Sequence, residues 1–501
     1  MLKCRYLHPV MSPVIELWEW TFGLLKSWYW LPLLLAYIGV IISILLDNRN
    51  PIKSVAYIML LVFLPGLGLV VYYFFGRDLR KQRIFNLKGA GAMPLMERFW
   101  NTNLHEFERR FERAEEKFGG LVAASRLVFN LHQTVLTENN HFELLINGEQ
   151  KFPSVYAALE EAEHHIHIEY YIFTYDDVGR KVVDILMRKA KQGVEVRLVI
   201  DDMGSKNNKR MVRRLKRAGI DVYRFMPVTF PFAAQANYRN HRKIIVVDGK
   251  VGFVGGINMD DRYLNNGKYK LFWRDTHLKV EGPMVNLLQF QFLLSWHFTA
   301  KKNFDLKPPY FENTGPAKGR SPATLIASGP DSPRPYCMEA ILTAINRASK
   351  IIRITTPYFI PSDQLTTALL MAVGNGVEVE LMLPGKTDSY IVQHASFSYL
   401  TPLLRAGVRV FLYERGFIHA KSITVDHQLA IVGTVNMDTR SFYINFELAA
   451  LAYDEALCKA LDDAFEDDLQ YSRELNYHIW GTRHIVRRVT ESVCRLLTPL
   501  L

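Results

Sequence analysis

Cysteine is scarce in this chain. There are four in 501 residues, Cys4, Cys337, Cys458 and Cys494. None sits in a CxxC pair or at zinc-ligand spacing, so neither a structural zinc nor a disulfide framework is expected. Scattered thiols in a chain of this size suit a reducing compartment. A small-residue cleavage site is missing behind the first apolar run, which argues against a secretory leader. Aromatic and basic residues nowhere interleave as they do on surfaces that stack nucleic-acid bases, so no nucleic-acid partner is expected. Acid is missing from Lys206 to Arg217, where Lys206, Lys209, Arg210, Arg213, Arg214, Lys216 and Arg217 make a stretch of one sign. That stretch reads equally as a solvated face or as a dock for anionic headgroups.

What the chain does have is apolar mass and positive charge: 49% hydrophobic residues and a net charge of +11. The first allows a large core, and the second points to an anionic partner. Two uncharged runs, 28–46 and 55–75, are each long enough to cross about 30 Å of hydrocarbon as a helix. Trp28, Tyr29 and Trp30, with Tyr72 and Tyr73, suit the aromatic belt of a membrane interface. The short loop DNRNPIKS makes the pair a hairpin with both chain ends on one side, and Pro65-Gly66 predicts a kink in the second run. Arg77, Arg80, Lys81 and Arg83 follow the runs, and Lys3, Arg5 and Lys26 precede them. By the positive-inside rule both ends face the cytoplasm, although Arg49 and Lys53 in the loop pull the other way. Pro13–Leu25 reads as an interfacial segment. The expected organisation is a membrane region over 1–76, a helical connector over 77–138, one α/β half over 139–305, a Pro/Gly/Ser-rich linker over 306–335, and a second half over 336–501.

The two halves announce themselves as a repeat. HRKIIVVDGKVGFVGGIN runs from His241 to Asn258, and HAKSITVDHQLAIVGTVN from His419 to Asn436. Around them, GVEVRLVI is echoed by GVEVELML and RAGIDVY by RAGVRVF. The β-α-β-α-β alternation predicts mixed sheets flanked by helices. One asymmetry stands out. The first half carries ten or so extra residues over 226–240, rich in Phe and Pro, which read either as a strand extension or as a lip touching acyl chains.

The chemistry follows from the residue types. Each motif reads as strand–turn–strand, and residues two apart on a strand share a face, so His241 points with Lys243 and His419 with Lys421. Two lysines supply fixed positive charge for phosphoryl oxygens. One imidazole attacks phosphorus and the other exchanges a proton with the alcohol. Asp248 and Asp426 fall past the strand ends. Each motif is followed by an acid suited to orienting an imidazole, Asp275 in WRD and Glu447 in NFE. A metal site fits less well, because a lysine beside each histidine repels a cation. No cofactor is expected.

Both motifs match the HKD signature of the phospholipase D superfamily. The chain as a whole resembles the bacterial cardiolipin synthases within it, through the N-terminal hairpin and its FGR, the two motifs, SGPD at 328–331 and the RLLTPLL ending. The resemblance implies two similar α/β halves around one active site. It implies the joining of two phosphatidylglycerols into cardiolipin and glycerol through a phosphohistidine, at the cytoplasmic face of the cell membrane, with anionic lipids as partners. It carries catalytic roles to His241, Lys243, Asp248, His419, Lys421 and Asp426, with the aspartates supporting structure, His241 as nucleophile and His419 as acid/base. It gives phosphate binding to Asn258, Asn436 and Thr434. Gly256 stands where many members have Ser or Thr. A hydrolytic phospholipase D is the alternative, a membrane-bound nuclease or nucleic-acid binder a more distant one, and a silent tether is disfavoured by two complete motifs. Homodimerisation is left open.

Overall fold

The computed structural model describes residues 30–46, 51–72, 93–131, 134–206, 208–228, 237–302, 307–311 and 319–498. The chain divides into two compact units, Met1–Asp78 and Leu79–Leu501.

In the N-terminal unit the first apolar run forms a helix over Trp30–Leu46. The second differs from expectation. It is a helix over Pro51–Phe63 followed by a separate short one over Pro65–Val71. At Leu64 the backbone leaves the helical region, with φ −134° and ψ 70°. Proline causes this, since Pro65 has no N–H to continue the ladder and pushes the residue before it toward extended geometry. The short helix then doubles back on the longer one. A Cβ on Gly68 would lie 2.7 Å from the Leu60 carbonyl oxygen, and the Tyr57 and Tyr72 rings are 5.8 Å apart. In one straight helix those tyrosines would be separated by about 22 Å. The expected single span over 55–75 is therefore a tight helical turn-back, and no helix among the described residues is long and apolar enough to cross a membrane. Ile44, Leu61 and Tyr72 form the small core of this unit, while Leu46, Phe63 and Leu67 are exposed. Pro13–Leu25, Trp28, Tyr29, Tyr73 and the basic GRDLRKQR lie outside the described residues.

The second unit is built on one sheet of fifteen strands among the described residues. From the middle outward, the first half contributes Thr137–Ile146, Thr276–Glu281, Val251–Gly255, Lys243–Val247, His165–Tyr170, Glu195–Asp201 and Asp221–Phe225. The second contributes Ser321–Ser328, Glu447–Tyr453, Leu429–Gly433, Ser422–Val425, Ile351–Thr355, Glu378–Pro384, Arg409–Tyr413 and Ser472–Glu474. The halves meet where Thr137 pairs with Ala323 and Asn140 with Ser321. In each half the inner strands run antiparallel and the three that follow the crossover helices run parallel. Those helices start and stop as their sequences dictate. Asp176 accepts from the Gly179 N–H at the head of Asp177–Lys191, and Gly193 follows its end at φ +93°. Ser362 and Gly376 (φ +84°) play the same parts for Asp363–Gly374. Side-chain oxygens satisfy the free N–H groups at one end, and glycine takes the left-handed turn at the other.

The connector does more than connect. Within the Met93–Phe118 helix, Phe107, Phe111 and Phe118 are buried in the core of the second half, together with Phe129. Ser125 Oγ meets the buried Tyr453 hydroxyl at 2.7 Å. The basic helix Lys209–Arg217 buries only Met211 and Leu215, and Arg214 bridges to Asp184 at 2.9 Å. Of the 226–240 insertion, residues 229–236, with Phe230 and Phe232, lie outside the described residues.

Candidate active site

Each motif begins just ahead of an inner strand, Lys243–Val247 or Ser422–Val425, which turns tightly into the next. Asp248 and Gly249 sit at φ +53° and +63°, and Asp426 and His427 at +53° and +59°, the signature of a type I′ hairpin turn. Glycine is obligatory in the first of these for a second reason: a Cβ at residue 249 would stand 2.6 Å from the Tyr310 carbonyl oxygen. His427 takes the strained position in the second turn, where its ring meets Asp462 at 2.6 Å. The motif aspartates face away from the histidines. Asp248 accepts from the N–H groups of Glu163, His164 and His165, each at 2.8 Å. Asp426 accepts from Ser349, Lys350 and Ile351 at 2.7–3.0 Å. Each carboxylate thus ties down the start of the neighbouring antiparallel strand.

The two histidines are brought together by short backbone links between the halves. Phe272–Arg274 runs parallel to Gly416–Ile418, and the His419 N–H donates to the Arg274 carbonyl at 2.6 Å. Gly416 permits this, because a Cβ there would fall 2.2 Å from the Phe272 carbonyl oxygen. On the other side Asn240 bridges Phe446, and the His241 N–H donates to the Phe446 carbonyl at 2.9 Å. The residue after each linked segment is the acid. The acids therefore cross over: His241 Nδ1–H lies 3.0 Å from both Glu447 carboxylate oxygens, and His419 Nδ1–H donates to Asp275 Oδ2 at 2.6 Å. Both carboxylates are fully buried. With Nδ1 committed, each imidazole keeps Nε2 for chemistry.

Burial sets the electrostatics. It holds the His241 imidazole below its ordinary range and pushes His419 down to about 3, with each neighbouring lysine adding to the effect against the opposing pull of the acid. Burial therefore favours the neutral form of both rings. Burial lowers Lys243 to about 7 and Lys421 to about 8, offset in part by Glu447 and Asp275. Burial raises Glu447, but His241, Lys243 and Thr434 outweigh it and leave the carboxyl lowered. Each lysine ammonium donates to the carbonyl of its own histidine, Lys243 to His241 at 2.6 Å and Lys421 to His419 at 2.5 Å. The remaining donors are available to an anion between the motifs.

The other expected site residues are not equivalent. Asn436 Oδ1 is buried and without a partner, whereas the Asn258 side chain is engaged, donating to the Tyr263 hydroxyl at 3.0 Å and accepting from the Ile172 N–H at 3.3 Å. Thr434, expected at a phosphate, has its hydroxyl engaged within the protein. Its hydroxyl donates to Glu447 Oε2 and accepts from the Leu448 N–H, so it holds the acid. Gly256 has a matching reason, because a Cβ there would sit 2.2 Å from Asp275 Oδ1.

Several neighbours went unnoticed in the sequence. Trp273 and Phe417 flank the His419 ring at 5.6 Å each, the Tyr263 hydroxyl lies 3.5 Å from its Nδ1, and Tyr171 stands edge-on to His241 at 5.1 Å. Lys151 is wholly buried and donates to the Ile257 carbonyl at 2.8 Å, inside the GGIN loop. The only hint in the sequence was its place on the inner face of NGEQKF. Among the described residues no group of three or more His, Cys, Asp or Glu is arranged to hold a metal ion.

The family model for the cardiolipin synthase PLD-like domain matches residues 155–277 and 341–469, one match per half. A phospholipase D-nuclease N-terminal family model matches residues 35–77. The chain is 38% identical to a cardiolipin synthase of Alkalihalophilus pseudofirmus, across 96% of this chain and 95% of that one. It is 37% identical to the major cardiolipin synthase ClsA of Bacillus subtilis, across 95% and 99%. Among solved structures, phosphatidylserine synthase of Haemophilus influenzae shares the fold at a TM-score of 0.58 and 14% identity, covering 75% of this chain and 96% of that one. With a double family match laid over the two motif-bearing halves and relatives matched nearly end to end, the chain belongs to the cardiolipin synthase family.

Proposed function

We propose that this protein transfers a phosphatidyl group from one phosphatidylglycerol to another, giving cardiolipin and glycerol. The observation that carries the reading is the crossed pair of His–carboxylate contacts with two buried lysines between them, which supplies a nucleophile, a proton carrier and an anion cradle in one site. His241 Nε2 attacks phosphorus of the donor lipid while Lys243 and Lys421 hold its non-bridging oxygens. The glycerol oxygen leaves with the proton of His419 Nε2, and a phosphatidyl–histidine bond remains. The terminal hydroxyl of a second phosphatidylglycerol then gives its proton back to His419 and attacks phosphorus, releasing His241. Burial favours the neutral His419 ring, so its Nε2 takes up a proton from water as the anionic phosphodiester binds. The phosphodiester's negative charge, set beside the two imidazoles, favours the imidazolium that burial disfavours. Asn436 donates to the same phosphate, and Thr434 fixes Glu447.

The apolar exterior of the N-terminal unit supports seating it in the lipid bilayer, with the Leu79–Leu501 unit in the cytoplasm beside its substrate. Because the second apolar run doubles back, the proposal is a membrane-inserted hairpin. Protease protection in inverted and right-side-out vesicles tests that placement.

The catalytic reading is tested with purified, detergent-solubilised protein, phosphatidylglycerol alone and mass spectrometry of the lipids. Cardiolipin and glycerol are expected, and both vanish in His241→Ala and His419→Ala. Phosphatidic acid as the main product would reassign the protein as a hydrolase.

A further inference from the structure

The helix near the C-terminus, Ile485–Leu496, is amphipathic the wrong way round for a soluble protein. Its polar Glu491 is buried with Cys494 against the fold. Its outward face carries Ile485, Val486, Val489, Val493 and Leu496, each more than half exposed, and Leu496 as much as 78%. Those positions recur at helical spacing and form one stripe. Arg483 and Arg487 are spent on Glu491, at 2.9 and 3.2 Å. Arg488 and Arg495, seven residues apart along one edge of the stripe, have no carboxylate partner among the described residues. Arg495 stands over the Tyr399 ring at 5.9 Å, and an aliphatic face edged by arginines without a carboxylate is the pattern of a helix lying in the headgroup layer of an anionic bilayer.

The position of this helix adds a second argument. It packs along Tyr390–Ser398, whose outward Tyr390 (65% exposed) and Ile391 continue the apolar surface. That second helix borders the active site. Ser396 Oγ accepts from the Phe359 N–H, and Phe359–Ile360 pairs with Met437–Asp438, the residues directly after Asn436. Two residues before Tyr390, Asp388 accepts from the Tyr358 hydroxyl at 2.8 Å, and Tyr358 leads through the Phe417 ring to His419.

We propose that the outward faces of Ile485–Leu496 and the start of Tyr390–Ser398 form a docking surface for anionic phospholipid bilayer, seating the mouth of the active site among the headgroups it consumes. The proposal rests on the lipid-substrate reading above. Tethering by the N-terminal unit raises local concentration, whereas this surface sets orientation.

The test uses the full chain. Wild type, Val489→Glu/Val493→Glu and Arg488→Ala/Arg495→Ala are assayed on phosphatidylglycerol vesicles and on a short-chain phosphatidylglycerol below its critical micelle concentration. Both variants are expected to lose roughly tenfold on vesicles and less than about twofold on the monomeric lipid, the arginine variant in a salt-dependent way. A Val489→Cys probe in a Cys4→Ser background, labelled with a polarity-sensitive fluorophore, is expected to be quenched by nitroxide-bearing lipid. Equal losses on both substrates, or a probe that stays aqueous, would overturn the proposal. So would a Glu variant that turns from dimer to monomer with vesicle activity intact, which would give the face to a second copy of this chain. Failure of wild type to turn over even the monomeric lipid would instead refute the catalytic reading, with the probe still deciding the surface.

Discussion

Where the first half sets Gly256 against Asp275, the second sets Thr434 against Glu447. The shorter acid lies so close to its loop that no Cβ fits, and its Oδ1 takes the Thr276 N–H at 2.7 Å. The longer acid reaches further and needs a hydroxyl to hold it. Since the acids are exchanged, the asymmetry of each half shapes the other half's histidine. His241 receives an acid held by Thr434 and Asn445, and His419 one held by backbone in a ring of aromatics. Two copies of one motif have thereby been given different surroundings, which is what a reaction with a nucleophile and a separate proton carrier requires.

The sharpest way to break that comparison is to remove each histidine and offer a substrate whose leaving group needs no proton. With natural lipid both His→Ala variants are expected to fall by about 10³-fold or more. With a nitrophenyl ester His419→Ala should still release a burst of nitrophenol, whereas His241→Ala should not. A burst from the wrong variant would reverse the roles. Next come the acids. Asp275→Asn and Glu447→Gln are each expected to cost about 10²- to 10⁴-fold in kcat, through the wrong tautomer. The activated ester should rescue Asp275→Asn alone, because that acid serves the proton carrier across the interface. Swapping the loop residues should be lopsided. Gly256→Thr forces a clash and should cost more than Thr434→Val, which removes one hydrogen bond to a charged group, about 1.5–3 kcal/mol, read as kcat at fixed substrate. A smaller effect is the alkaline limb. Lys243 at about 7 and Lys421 at about 8 lose charge as pH rises, so kcat/KM, which reports the free enzyme, should decline above that range. In Lys243→Arg, which stays charged, the decline should move to higher pH even though overall activity drops.

Much of the site was legible because its signals are local. His-x-Lys alternation on a strand, the Asp past its end and the acid downstream are all short-range patterns, and their repetition fixed the two halves. The crossing of Asp275 and Glu447 was not legible. It depends on Phe272–Arg274 pairing with Gly416–Ile418, a contact between segments that share no sequence pattern. The tie from Thr434 to Glu447 was illegible for a related reason: the position in the motif says that a hydroxyl is present but not which way it points. The break at Pro65 was legible in the 55–75 run, but its size was not: nothing in the sequence says that the helix after the proline folds back on the one before it. The connector's Phe107, Phe111 and Phe118 showed a periodic face without showing that the second half would cover it.

The crossed acids also impose an order on biosynthesis. His241 and the acid it needs are 206 residues apart in the chain. At roughly 5–20 residues per second, the nucleophile leaves the ribosome about ten to forty seconds before its partner. Through that interval the nascent first half carries a complete motif with no acid to orient it and no second histidine to move a proton. A prematurely terminated chain is expected to be inert toward the phosphodiesters around it, with activity appearing only once the Glu447 strand closes against the first half.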